Sequence, residues 1–123
     1  MIHLDANLLV AGLTNGSPEQ LKLRGWMAGG ETLAISAVAW AEFLCGPLTA
    51  ADEMAARQML PAAESLLTED AALAANLFNA TSRRSRSLAD CMIAAVAIRC
   101  GAKLATRNRA DFQPFVAHGL LLA

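Results

Sequence analysis

Short apolar runs alternate with longer segments of helical length along this 123-residue chain. The short runs are bounded by polar, glycine or proline residues and have the length of buried strands. The sequence therefore predicts strands at 2–4, 32–35, 65–67, 103–106 and 120–122. The longer segments predict helices at 8–13, 18–28, 37–44, 50–60, 69–80 and 91–98, with a short helix near 110–115.

This alternation of strands and helices predicts an α/β fold. Parallel strands need crossover connections, and helical crossovers cover both faces of a sheet. We therefore expect three α/β/α layers around a central, mostly parallel sheet of about five strands. The length suits one domain over residues 1–123.

The region 88–112 has the most informative pattern. Asp90 stands just before the run from Cys91 to Ile98, which has no polar side chain and predicts a helix buried on nearly every face. Gly101 ends that helix, and a short strand leads to a polar turn that contains Asp111. A buried helix and a buried strand thus each carry an acid at one end.

Other polar residues also follow predicted strands. Asp5 follows the first strand, Ser36 the second, and Thr106 the fourth, while Glu42 lies six residues into the helix after Ser36. Sites in parallel sheets form beyond the carboxyl ends of the strands. We therefore expect these residues to face one crevice.

Each acid also has a simpler interpretation as a helix cap. Asp5 can cap the first helix, Asp90 can close a capping box with Ser87, and Asp111 can cap a one-turn helix. Glu42 is harder to explain in this way, because its sequence neighbours are apolar and a carboxylate buried among them is costly.

Carboxylates that converge on one crevice repel each other. Two unit charges 4 Å apart cost roughly 4 kcal/mol at an effective dielectric constant of 20. Either some of the acids hold a proton or a cation lies among them, and an all-oxygen site suits Mg²⁺ or Mn²⁺. Such an ion acidifies a bound water and binds a phosphate oxygen, which favours a phosphodiester as substrate.

Charge is distributed unevenly along the chain. Residues 1–82 hold three basic and nine acidic side chains, whereas residues 83–123 hold seven basic and two acidic ones. The basic set is Arg83, Arg84, Arg86, Arg99, Lys103, Arg107 and Arg109. It forms either a solvated face or a rim that binds phosphate groups around the acids.

At these motifs the chain resembles the PIN-domain ribonucleases of the VapC type, the toxins of type II toxin-antitoxin systems. The resemblance is carried by four segments in the family's order: 4–7 (LDAN), 36–42 (SAVAWAE), 89–95 (ADCMIAA) and 105–112 (ATRNRADF). It implies a PIN-like three-layer fold and a catalytic, metal-binding cluster of Asp5, Glu42, Asp90 and Asp111. Hydrogen bonds from Asn7, Ser36, Thr106 and Asn108 would support this cluster.

In some relatives an acid takes the place of Asn108, so whether that position or Asp111 completes the cluster stays open. The resemblance further implies an endoribonuclease that depends on Mg²⁺, with Mn²⁺ as a substitute, a homodimer and a cognate antitoxin that neutralises the enzyme. We expect Arg83, Arg84, Arg86, Arg107 and Arg109 to contact the RNA, mainly at phosphates, because the chain has no tyrosine.

Two other functions are compatible with parts of the sequence. A PIN-fold protein outside a toxin-antitoxin pair can bind RNA without cutting it or process RNA, and the intact acidic set argues against the form that does not cut. A phospho-receiver signalling domain has a similar length, but it needs an acidic pair after the first strand, and Asp5 is followed by Ala6. That class is therefore disfavoured.

The remaining expectations concern location and assembly. The amino-terminal segment has no basic flank and carries an acid at position 5, which argues against a signal peptide. No run approaches the roughly 18 apolar residues of a membrane span, and three cysteines without a CxxC motif predict core residues in a reducing cytoplasm. The surplus of apolar residues between 36 and 60 predicts the homodimer surface.

Overall fold

The computed structural model describes residues 1–81, 83 and 88–123 of the chain. Within these residues four strands form one parallel sheet in the order β2-β1-β3-β4. The strands are β1 (Ile2–Leu4), β2 (Leu33–Ala34), β3 (Lys103–Ala105) and β4 (Leu121–Leu122). The prediction of a parallel α/β sheet is thus confirmed.

Helices fill the predicted segments between the strands. They are α1 (Ala6–Gly12), α2 (Pro18–Ala28), α3 (Ala37–Cys45), α4 (Ala50–Met59), α5 (Thr68–Ala80), α6 (Leu88–Arg99) and α7 (Arg109–Phe112), which a 3-10 helix (Gln113–His118) follows. None of the helices in these ranges is long and apolar enough to cross a membrane.

The strand predicted at 65–67 is wrong. The chain makes only an isolated bridge here, in which Glu64 N–H donates to Ile35 O at 2.8 Å and Ala37 N–H donates to Glu64 O at 2.7 Å. It then turns into α5, because Leu67 N–H is already bonded to the carboxylate of Asp70 and cannot extend a ladder. The described sheet therefore has four strands where about five were expected.

Helix α6 lies at the centre of the fold. Its buried residues are Cys91, Ile93, Ala94, Ala95, Val96 and Ala97, and it packs against α3, α5, α7 and β3. Several of these side chains are alanines, which let neighbouring elements approach the helix closely. The predicted burial on nearly every face is confirmed, and the chain leaves the helix at Gly101, whose φ of +64° suits glycine.

Helices α1 and α2 approach each other at Gly12. A Cβ atom on that residue would lie 2.2 Å from Leu23 Cδ1, so no larger residue fits without movement. Helix α2 begins as a capped helix should, with Ser17 Oγ accepting from Gln20 N–H and Pro18 in the first turn. This close pair fixes α1, whose amino-terminal cap is Asp5.

The three cysteines do not share one environment. Cys91 is buried in α6 as predicted, Cys100 is half-buried and Cys45 is exposed. The prediction of three core residues is therefore wrong for Cys45, because α3 buries only Ala39 and Phe43 and turns its last residue outward.

Candidate active site

The site begins where β1 and β3 end side by side. Leu4 pairs with Ala105 in the parallel ladder, and Asp5 N–H donates to Ala105 O at 2.9 Å. Asp5 and Thr106, the residues that follow this pair, are therefore neighbours. Their side chains meet, with the Thr106 hydroxyl against the Asp5 carboxylate.

The Asp5 carboxylate is buried, with 5% of its surface exposed, and both of its oxygens are bonded. Oδ1 accepts from Ala6 N–H at 2.9 Å, and Oδ2 accepts from Thr106 Oγ1 at 2.7 Å. Burial raises the pKa of Asp5, the two hydrogen bonds lower it, and the charge of Asp111 raises it. Asp5 is thus the cap of α1 and a member of the candidate site at once.

Asn7 and Thr106 hold the turn after β3 against α1. Asn7 Oδ1 accepts from Arg107 N–H at 3.1 Å, and Thr106 Oγ1 accepts from Asn108 N–H at 3.0 Å. Thr106 Oγ1 also lies 3.5 Å from Asn7 Oδ1, but its single proton is better placed toward Asp5. Asn108 takes part through its backbone, and its side chain is exposed.

Asp90 occupies the first turn of α6 and is half-buried. Burial and then the charges of Asp5, Glu42 and Asp111, in that order, together raise the pKa of its carboxyl to about 6. Each of the three other predicted acids therefore acts on Asp90. The other three carboxylates, which come from three different segments, therefore lie within electrostatic range of Asp90.

Glu42 lies on α3 and is exposed, contrary to what its apolar sequence neighbours indicated. The helix buries Ala39 and Phe43, and Glu42 lies on the open side. Partial desolvation and then the charge of Asp5 raise its pKa. Ser36 is buried and caps this helix, with Ser36 Oγ accepting from Ala39 N–H at 3.1 Å. Its contribution to the site is therefore to hold the helix that carries Glu42.

Asp111 lies on α7 and is exposed. Its charge raises the pKa of both Asp5 and Asp90, whereas Asn108 carries no charge. Of the two positions that the sequence left open, Asp111 is therefore the one whose carboxylate acts on the other acids.

A divalent cation was tested against this donor set. Among the described residues no three His, Cys, Asp or Glu side chains lie close enough together to hold one ion. Nor do the ion pairs found in residues 1–81 and 88–123 neutralise any of the four acids. Mg²⁺ usually takes one or two carboxylates and keeps several waters, so this open, uncompensated set fits Mg²⁺ better than a closed zinc site.

The predicted arginine rim is only partly described. Arg107 Nε lies 3.5 Å from Glu19 Oε1, and Arg109 Nη1 donates to the backbone carbonyl of Ala123. Arg83 is exposed, and Arg84 and Arg86, like Ser87 of the predicted capping box, lie outside the described residues. Two of the five arginines therefore already have partners within the chain.

Sequence reasoning missed a second charged cluster. Arg99, assigned to the basic face, lies at the other end of α6 from Asp90 and is bonded to Asp70 and Glu64. No local pattern predicts this cluster, because the partners of Arg99 lie 29 and 35 residues away along the chain.

Two cavities lie away from the acids. One, of about 350 Å³, is lined by residues of α1, α2 and α4 and the turn after α1. The other, of about 380 Å³, lies on α4 and is lined by Glu53, Met54 and Arg57 among others. Neither contains a residue of the acidic set.

A family model described as PIN domain matches residues 2–114 of this chain. The chain belongs to the PIN domain family. The predicted PIN-like α/β fold is confirmed by this match together with the parallel sheet. No curated protein sequence matches the chain.

Three solved structures are similar to this chain in fold. VapBC2 from Rickettsia felis, bound to a DNA fragment from their promoter, has 20% identity and a TM-score of 0.73 over 100% of this chain and 98% of that one. FitAcB from Neisseria gonorrhoeae has 22% identity and a TM-score of 0.72 over 100% and 97%. A toxin-antitoxin complex from Klebsiella pneumoniae has 23% identity and a TM-score of 0.72 over 91% and 90%.

Proposed function

We propose that this PIN domain is a Mg²⁺-dependent endoribonuclease and the toxin of a VapC-type toxin-antitoxin pair. The observation that carries the proposal is the position of Asp90, whose pKa of about 6 reflects burial beside three further carboxylates. A cluster of uncompensated acids is costly for the fold, and such strongly perturbed groups concentrate at functional sites. Nuclease activity is general to the family that residues 2–114 match.

The acids hold the cation in this proposal. Asp5, Asp90, Glu42 and Asp111 are the proposed ligands. When bound, Mg²⁺ or Mn²⁺ offsets phosphate charge and acidifies a water for attack on the phosphodiester. Thr106 keeps one Asp5 oxygen in place through its 2.7 Å hydrogen bond. Because Asp90 binds a proton below about pH 6, proton and cation compete for its carboxylate.

The proposed RNA contacts are made by Arg83, Arg84, Arg86, Arg107 and Arg109. Arg107 is exposed and joined to Glu19 by a 3.5 Å contact, which is long enough to exchange for a phosphate oxygen. Such contacts position the strand without selecting its bases.

We also propose a homodimer, a cognate antitoxin and a cytoplasmic location, with residues 1–123 acting as one domain. The dimer surface includes Met54, which is 63% exposed, and Trp40, which stacks on Phe43 and lies under Arg57. The relative from Klebsiella pneumoniae is a toxin-antitoxin complex, which supports a cognate antitoxin for this chain. An antitoxin arginine that pairs with the acids would neutralise the site.

The first experiment tests cleavage itself. Purified protein is incubated with RNA in excess chelator, then with Mg²⁺ added back, and the new RNA ends are sequenced. We expect internal cuts only after the cation is restored. Cleavage at an equal rate in excess chelator would contradict the proposal.

One observation favours the alternative of a PIN-fold protein that binds RNA without cutting it. The described residues offer no preformed set of three ligands. RNA retention in a gel-shift assay, with no cuts at saturating Mn²⁺, would support this alternative.

A further inference from the structure

A second charged cluster joins three chain segments at the end of α6 farthest from Asp90. Arg99 Nε donates to Asp70 Oδ1 at 2.8 Å and to Oδ2 at 3.0 Å. Arg99 Nη2 donates to Glu64 Oε1 at 3.2 Å and to Ser65 O at 3.0 Å. One guanidinium group thus ties α6 to α5 and to the segment that precedes α5.

These contacts form two arms, one to Asp70 and one to Glu64 and Ser65, with different consequences. The first arm ends on Asp70, which is buried with 1% of its surface exposed and also accepts from Leu67 N–H at 2.9 Å as α5 begins. It anchors α5 to α6. The second arm ends on Glu64 and Ser65, which belong to neither helix.

The second arm continues to the helix of Glu42. The backbone of Glu64 bonds Ile35 O and Ala37 N–H, so it holds the first residue of α3. Ser36, between those two residues, caps the same helix. Arg99 is therefore connected to α3 through a side-chain bond and one backbone bridge.

The two acids at issue lie on helices that share this anchor. Asp90 precedes Arg99 by nine residues of α6, or about 13 Å at 1.5 Å per residue. Glu42 lies on α3, which also packs directly on α6. A shift at the anchored end therefore moves Glu42 relative to Asp90 at the other end.

We propose that Arg99 is a positioning residue that holds the start of α3 against α6 through Glu64 and Ser65, and so sets the placement of Glu42 beside Asp90 for cation binding. This rests on the proposed function, because it assigns Arg99 an effect on the affinity of the acidic site. Arg99 itself touches neither the cation nor the RNA.

Strand β1 of the sheet lies near the Arg99 cluster. His3 of β1 is buried, and Glu64 and Arg99 both act on it electrostatically. Neither ring nitrogen of His3 has a hydrogen-bond partner within the described residues. Arg99 thus lies near β1, with 22% of its side chain exposed, and its two arms fix its position.

A double-mutant cycle on Mn²⁺ affinity tests the proposal. Calorimetry on the whole, RNA-free chain gives the affinity of wild type, Arg99→Gln, Glu42→Gln and the double variant. We expect Arg99→Gln alone to weaken Mn²⁺ binding about tenfold, with little further effect when Glu42 is already changed, since coupled sites are not additive. Equal weakening in both backgrounds would overturn the proposal, as would an unchanged affinity of folded Arg99→Gln.

Matched variants separate positioning from charge and from folding. Lys103→Gln removes another carboxy-terminal cation, from the exposed start of β3, and should leave Mn²⁺ affinity unchanged. Arg99→Lys keeps the charge but cannot span both arms, so it should restore only part of the affinity. If Arg99→Gln fails to fold, Glu64→Gln replaces it in the cycle, because that change keeps the backbone bridge.

Failure of the proposed function has a different signature. If wild type binds no Mn²⁺, the metal site and the positioning role are both wrong. If wild type binds Mn²⁺ and Asp90→Asn does not, while Arg99→Gln binds as wild type, only the positioning role is overturned.

Discussion

The two ends of α6 carry opposite charges in opposite situations. At the amino-terminal end, Asp90 lies near three other carboxylates and its pKa rises to about 6. At the carboxy-terminal end, Arg99 is bonded to Asp70, Glu64 and a backbone carbonyl. Both charges agree with the helix dipole, so only their neighbours distinguish them. A charge satisfied within the chain stabilises the fold, whereas an unsatisfied one is typical of a site that binds something else.

The largest expected effect comes from Asp90→Asn. This change removes a ligand charge, and because altering even the groups that support metal ligands costs 10–100-fold, we expect RNA cleavage to fall at least about a hundredfold. The metal-free protein should be as stable as wild type or more so, because repulsion is relieved. RNA cleavage and thermal melts in chelator measure the two effects.

Glu69→Gln is the matched control for Asp90→Asn, since it removes an exposed carboxylate from the first turn of α5. It should cut RNA as wild type does. An Asp90→Asn protein that unfolds, or that retains wild-type cleavage, would show that Asp90 is a structural residue like Asp70.

Asp70→Ala should have the opposite pattern at the other end of α6. It removes the acceptor of Leu67 N–H, and loss of such a cap alone costs about 1 kcal/mol of unfolding free energy. The cost rises further because Arg99 loses its buried partner. Urea unfolding should therefore detect a marked loss of stability, while cleavage per folded molecule falls far less than in Asp90→Asn. A stable but inactive Asp70→Ala protein would contradict a structural role for the Arg99 end of α6.

Thr106 tests whether the acidic end needs orientation as well as charge. Thr106→Val removes the hydroxyl that donates to Asp5 Oδ2 and should raise the pKa of Asp5, because that hydrogen bond lowers it. Loss of a group that orients a metal ligand predicts about a tenfold fall in cleavage. Thr106→Ser keeps the hydroxyl and should retain activity, so equal losses in both variants would refute an orienting role.

The smallest effect concerns the dependence of stability on pH. The pKa of Asp90 rises from 3.8 to about 6 on folding, so its stabilising contribution is present below pH 3.8 and lost as pH rises through 6. In chelator, the unfolding free energy of wild type should therefore fall over this window relative to Asp90→Asn. Parallel pH profiles of the two proteins would contradict the raised pKa.

His3 should act in the opposite direction over part of the same window. Burial lowers its pKa from 6.5, so its contribution is present above pH 6.5 and is lost as pH falls. His3→Leu should therefore remove part of the loss of stability in acid. Urea titrations at several pH values measure the unfolding free energy. If it falls equally in acid for His3→Leu and wild type, protonation of His3 does not destabilise the fold.

The parts of this molecule that could be predicted are those governed by local patterns. The apolar run of α6 and the strand ends at Asp5 and Thr106 follow from periodicity and chain order. Residues 65–67 have the composition of a strand but were not one, because Asp70 takes the N–H of Leu67 and starts α5. Whether residues 65–67 form a strand thus depends on the side chain of Asp70, which lies outside that segment.

The exposure of Glu42 and the role of Arg99 also lay beyond the sequence. Whether Glu42 faces the core depends on which side of α3 packs on α6, and its apolar neighbours did not reveal that side. Arg99 finds its carboxylates 29 and 35 residues away, through helix packing that no local pattern encodes. The long-range partners of charged residues thus came only from the structure.

The most direct measurement is the anomalous scattering of Mn²⁺ in crystals of the whole chain. A cation held by the acidic end of α6 predicts a peak within about 2–2.5 Å of an Asp90 oxygen and close to Asp5, with Glu42 and Asp111 facing it. The same map should show no peak at the Arg99 end. A map with no peak at Asp90 in saturating Mn²⁺, or with its only peak elsewhere, would contradict the proposed metal site.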